Sequence, residues 1–182
     1  VAKVVTEVAA PWAVLMAGST VLGVRVGAPW WGLATGLGMG GIPQAGIALR
    51  VRRKRLSDHH VTRRKERPLV IAGIATSVVA LMTAQRRGEC PGELRRLTNT
   101  AMTALLTAGG ITAGVTKVSF HTAVLAGMTT VLAVEDDPRW WWVLVGLPAV
   151  GWSRVKIDHH SVSQTVLGAA LGLTAGVVAR GR

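Results

Sequence analysis

The residues best suited to chemistry lie in three short stretches. "SRVKIDHHSVSQ" (153–164) sets His159 and His160 beside Arg154 and Lys156. "KVSFH" (117–121) carries Lys117, Ser119 and His121, and "RVRRKRLSDHHVTRRKERP" (50–68) ends on Arg67. Arg67, Arg154 and Lys117 suit oxyanions, because a planar guanidinium offers two parallel N–H donors to phosphate. Imidazole titrates near neutrality, so one ring can attack while another donates a proton. A metal centre fits less well. Adjacent histidines diverge on a helix, few carboxylates stand near, and the surrounding cations repel a metal ion. The single cysteine, Cys90, rules out an intramolecular disulfide and a thiolate cluster. No metal and no cofactor are expected.

These stretches interrupt an apolar chain. The 182 residues are 49% hydrophobic and 16% charged, with 22 glycines and a mean hydropathy of +0.39. That balance is too apolar for an ordinary soluble domain, and glycine is tolerated better in membrane helices. Apolar segments fall at about 8–24, 29–49, 68–85, 97–116, 118–134, 140–152 and 161–179. Several approach the roughly 20 residues a bilayer needs, and they are too long and too uniform for strands. The expectation is one all-α domain over 1–182, a polytopic transmembrane helix bundle of six to seven helices. The short sixth segment leaves the count open unless the polar residues after it extend the helix. Pro43 and Pro148 fall inside spans and predict kinks. Gly168, Gly172 and Gly176 recur every four residues and predict close packing of the last helix. "GLGMGG" lies inside an apolar span and follows no strand, so it reads as helix packing instead of a dinucleotide loop.

Seven spans would sort the polar segments into two faces. The N-terminus, 50–67, 116–118 and 153–160 fall on one, together with all five histidines: His59, His60, His121, His159 and His160. That face also holds most of the Lys and Arg, which predicts a cytoplasmic orientation. Trp30, Trp31, Trp140, Trp141 and Trp142 border the other face, as an interfacial belt does. The net charge of +12 then reflects the positive-inside bias and anionic lipid contact, not a nucleic-acid footprint. The first residues show no cleavage site with the usual flanks, so no signal peptide is expected.

In order and type the three stretches resemble the type 2 phosphatidic acid phosphatase family, whose motifs read K-x6-R-P, P-S-G-H and S-R-x5-H-x3-D. Arg67-Pro68 matches the end of the first motif and Ser119 and His121 match two positions of the second. Ser153, Arg154 and His160 match the third at the right spacing. The resemblance implies a metal-independent membrane phosphatase acting on a lipid phosphate or prenyl diphosphate. It implies His160 as the nucleophile that forms a phosphohistidine and His121 as the acid that protonates the leaving group. Arg67, Arg154, Ser119 and Ser153 would hold the phosphoryl group.

The chain departs from the family pattern in several places. His60 stands at the lysine of the first motif, and Lys117 is the favoured replacement cation. Val118 and Phe120 stand at the Pro and Gly of the second. Gln164 replaces the last Asp; its amide oxygen can fix the tautomer of His160 but cannot balance an imidazolium as a carboxylate does. Asp158 is a candidate to compensate. The alternative reading is therefore a non-catalytic relative that binds anionic lipid. Expected partners are the membrane, a lipid phosphate or isoprenoid diphosphate and, as one option, a second copy in a homo-oligomer. Nucleic acid is not among them.

Overall fold

A computed structural model describes residues 1–53 and 66–178, without the side chains of Arg67 and Ala113. Among the described residues all regular structure is helical: α1 (Ala2–Val8), α2 (Pro11–Arg25), α3 (Pro29–Gly36), α4 (Ile42–Arg52), α5 (Arg67–Arg87), α6 (Gly92–Gly114), α7 (Phe120–Glu135), α8 (Leu147–Lys156) and α9 (Val162–Val178). A π-helical stretch, Leu37–Gly41, joins α3 to α4, and a 3₁₀ stretch, Pro138–Gly146, leads into α8. The all-α expectation holds. His59 and His60 lie outside the described residues.

Proline sets many of the helix starts. Pro11 and Pro29 open α2 and α3, and Pro43, Pro68 and Pro148 are the second residues of α4, α5 and α8. In the first turn a missing N–H removes only a donor that has no intrahelical acceptor. Pro43 and Pro148 thus sit where helix geometry changes, after the π and 3₁₀ stretches. The turn from α2 to α3 uses Gly27 at φ +73°, a conformation that a Cβ disfavours. The sixth apolar segment is longer than its apolar part, because α8 carries it through Ser153 and Arg154 to Lys156.

α7 and α9 form the closest pair. A Cβ on Gly168, Gly172 or Gly176 would land on the Ser119 carbonyl, the Ala123 carbonyl or the Thr130 side chain. The four-residue spacing is thus the seam the sequence predicts. Cross-links tighten it: the Ser119 N–H donates to the Gln164 carbonyl at 3.2 Å, and Thr122 Oγ1 donates to the Thr165 carbonyl at 2.8 Å.

The two ends of the bundle differ. At one, the core of Leu22, Leu81, Leu94 and Leu132 packs with Trp31 and Trp140. Arg25 pairs with Asp136 at 3.1 Å there, and Arg96 pairs with Glu135. At the other end α1 rests on α8, and the α6–α7 junction meets the start of α9. Buried Gln85 donates to Thr35 and Thr98, both at 3.0 Å, and ties α3, α5 and α6 together.

Among the described residues one helix, Pro68–Arg87, is long and apolar enough to cross a bilayer alone, and α1 with α2 make a second candidate bent by 42°. α7 and α9 are shorter apolar helices.

Candidate functional site

The site forms where α8 stops. The Asp158 N–H donates to the Val155 carbonyl at 2.9 Å, and the His159 N–H donates to the Arg154 carbonyl at 3.1 Å. This pair of bonds is a Schellman cap, which requires a left-handed residue, usually glycine. Here the residue is Asp158, at φ +56°. Asp tolerates that region better than most side chains do. The turn reverses the chain and directs His159 and His160 back onto the bundle.

Both imidazoles are engaged through Nδ1. His159 Nδ1 lies 2.9 Å from Arg154 Nη2. A guanidinium only donates, so His159 Nδ1 accepts and the ring is neutral. His160 Nδ1 lies 3.2 Å from Gln164 Oε1. The same oxygen accepts from the Ser161 N–H at 3.2 Å, while Gln164 Nε2 donates to Thr116 Oγ1 at 3.4 Å. Those contacts fix the amide orientation. His160 Nδ1 must therefore carry the proton, which leaves the Nε2 lone pair as the nucleophilic position. Burial, then the charge of Arg154, pushes His160 down to about 4, with Lys117 and His159 adding to the shift and Gln164 opposing it. The ring is an uncharged base at neutral pH.

Arg154 is only 3% exposed. Its Nη2 serves His159, but Nε and Nη1 are buried without a hydrogen-bond partner among the described residues. Buried donors are nearly always satisfied, so these two mark a place for an acceptor. Glu7 of α1 is the carboxylate whose field acts on Arg154.

A cavity of about 370 Å³ opens at this point. Arg154, His160, His159, His121, Lys117, Asp158 and Glu7 line its polar end. His121 is buried in the first turn of α7, and Lys117 is exposed in the preceding linker. α7 starts only at Phe120, so Lys117 precedes the helix and is not one helical turn from His121.

Ser153, Ser119 and Gln164 do not line the cavity. Ser153 lies inside α8, where its Oγ donates to the Val150 carbonyl at 2.8 Å and accepts from Thr6 Oγ1 at 3.1 Å. It fastens α1 to α8. Ser119 is the residue before α7 but does not cap it through its side chain. Its buried Oγ has no partner among the described residues. Gln164 stands behind His160. The side chain of Arg67 lies outside the described residues.

Two contributors escaped the sequence reading as site residues. His159 holds one edge of Arg154, a role that its place beside His160 hinted at. Glu7 reaches the cavity from the far end of the chain, and no local signal marks it. Among the described residues no group of three or more His, Cys, Asp or Glu is placed to hold a metal ion.

Comparison with family models, with curated proteins and with solved structures finds no match. The arrangement sets two unmet guanidinium donors and an uncharged imidazole at the polar end of a largely apolar cavity.

Proposed function

We propose that the protein is a multi-pass membrane phosphatase that hydrolyses a lipid phosphate or prenyl diphosphate through a phosphohistidine. The observation that carries this reading is Arg154, buried with two orphaned donors beside a neutral His160 whose proton sits on Nδ1. In the first step His160 Nε2 attacks phosphorus as the bond to the leaving oxygen breaks. His121 protonates that oxygen. In the second step His121 takes a proton from water, the water oxygen attacks phosphorus, the N–P bond breaks and inorganic phosphate leaves. Arg154, with Lys117 and Arg67, holds the phosphoryl oxygens while charge builds on them. Ser119 and Ser153 support this end of the fold, and Gln164 sets the tautomer of His160.

A membrane setting is supported by an inverted surface. Trp30, Val79, Trp142, Val145 and Val166 are exposed, whereas Thr98, Ser119, Thr122, Thr130 and Ser153 are buried. The distribution suits hydrocarbon outside and hydrogen-bonded polar groups within. We read the seven apolar segments of the sequence as six to seven spans, with the site facing the cytoplasm. The second reading, a non-catalytic anionic-lipid binder, is favoured by one observation: the partner of His160 is an amide, not a carboxylate.

The test is phosphate release in detergent micelles with EDTA present, from phosphatidic acid and from farnesyl and undecaprenyl diphosphate. Release by the wild type and none by His160→Ala is expected. Binding without release supports the non-catalytic relative. Equal release by both proteins removes His160 as nucleophile.

A further inference from the structure

The cavity does not end at the phosphate site. From Arg154 and His160 it runs to Leu97 and Val131 in a space bounded by α6 and α7 on one side and by α2, α4 and α5 on the other, among side chains that are mostly apolar. On α6 its walls are Leu97, Ala101, Ala104, Leu105 and Ala108, with Thr100 and Thr112 as the polar positions. Their spacing of three and four residues makes one stripe along one face of the helix. At 1.5 Å per residue the stripe is about 22 Å long, and His121 to Val131 on α7 spans about 15 Å. The cavity is therefore narrow for its length. A dry apolar cavity of about 150 Å³ accepts one six-carbon ring. On that scale 370 Å³ accepts roughly fifteen carbons, enough for one chain and too little for two.

We propose that this cavity is an internal slot for one hydrocarbon chain of about fifteen carbons, so the substrate is a single-chain phosphate or diphosphate ester. The inference rests on the phosphate-site reading above and adds what that site selects. Charge complementarity orients the ligand: its anionic head meets Arg154 and Lys117, and its tail follows the α6 stripe inward. Ala101 and Ala104 then become specificity-determining residues, because their methyl groups leave room for the tail. A two-chain lipid can place only one chain in the slot.

The test is isothermal titration of the purified full chain in detergent, in a His160→Ala background that prevents turnover. The probes are inorganic phosphate, geranyl diphosphate, farnesyl diphosphate and dioleoyl phosphatidate. Farnesyl diphosphate should bind at least tenfold tighter than geranyl diphosphate, since its extra five carbons are buried. It should also bind tighter than the two-chain phosphatidate. Ala104→Phe should erase the farnesyl advantage, and Ala101→Phe, deeper in the slot, should weaken farnesyl more than geranyl. Both variants should bind inorganic phosphate as before, which shows that they fold. Equal affinity for the two prenyl chains, or no effect of either substitution, overturns the slot. Release of phosphate by the wild type without a chain-length increment sinks the slot and spares the enzyme. The increment without release sinks the enzyme and spares the slot.

Discussion

His160 is held uncharged by burial and by the cations around it, and this has a consequence for pH. Its pKa of about 4 lies below the ordinary histidine value of 6.5. Lowering the pH from about 6.5 to 4 protonates the ring in the unfolded chain but not in the folded one. Stability from this group is thus complete above about 6.5 and is lost as pH falls through 4. Chemical denaturation at stepped pH should show a decline over that window which His160→Ala lacks. Gln164→Glu places a carboxylate where the amide oxygen now accepts, and it favours the imidazolium. The titration of His160 should move upward, read by NMR or as an upward shift of the acid limb of phosphate release. An unchanged titration would mean that the 164 side chain does not contact the ring. Asp158 offers a second test. A left-handed conformation costs an L-residue about 1–2 kcal/mol. Asp158→Gly should therefore raise the free energy of unfolding by up to about 1 kcal/mol, and Asp158→Ala should lower it. The opposite order would show that the carboxylate is held by a contact worth more than the strain.

At the scale of elements the seam between α7 and α9 governs the site. It joins Ser119 to Gln164 and thereby brings the start of α7, with His121, to the start of α9. Gly172→Leu forces a side chain onto the Ala123 carbonyl. Overpacking of this kind costs about 1–3 kcal/mol, and phosphate release should fall with stability. Gly73 and Gly110 provide the contrast, because open space surrounds the position of a Cβ at each. Alanine there should be neutral or stabilising by about 0.5–1 kcal/mol. Thermal unfolding of the three variants separates a packing role from a general dislike of substitution in these helices. α1 belongs to the same assembly. Thr6→Val removes the donor that Ser153 accepts, and it should loosen the element that brings Glu7 to the cavity.

For the whole molecule the distribution of polarity makes the decisive prediction. Buried threonines and serines with tryptophan and valine outside suit a lipid surround. After expression the chain should remain in the membrane pellet through alkaline carbonate washing and require detergent for release. Recovery as a monomer in plain buffer would contradict the membrane reading. The same distribution explains why local length and composition single out α5 while the other segments fall short. α7 and α9 are shorter apolar helices, α1 and α2 meet at a bend, and the second and sixth apolar segments are interrupted by the π stretch Leu37–Gly41 and the 3₁₀ stretch Pro138–Gly146.

Much of this was legible in one dimension. Apolar runs announced helices, because hydrophobic periodicity and length are local properties. Glycines 168, 172 and 176 announced a seam, because a four-residue repeat places them on one helix face wherever that helix lies. The spacing from His160 to Gln164 announced their contact. Tertiary structure decided the rest, because burial and hydrogen-bond partners depend on residues far apart in the chain. Thr6 and Ser153, 147 residues apart, share a buried hydroxyl contact that turns Ser153 away from the cavity. Only the assembled bundle buries Arg154 with two donors unmet. Only the packing of α6 and α7 against α2, α4 and α5 leaves an apolar space among them, and no stretch of sequence holds the shape of a gap.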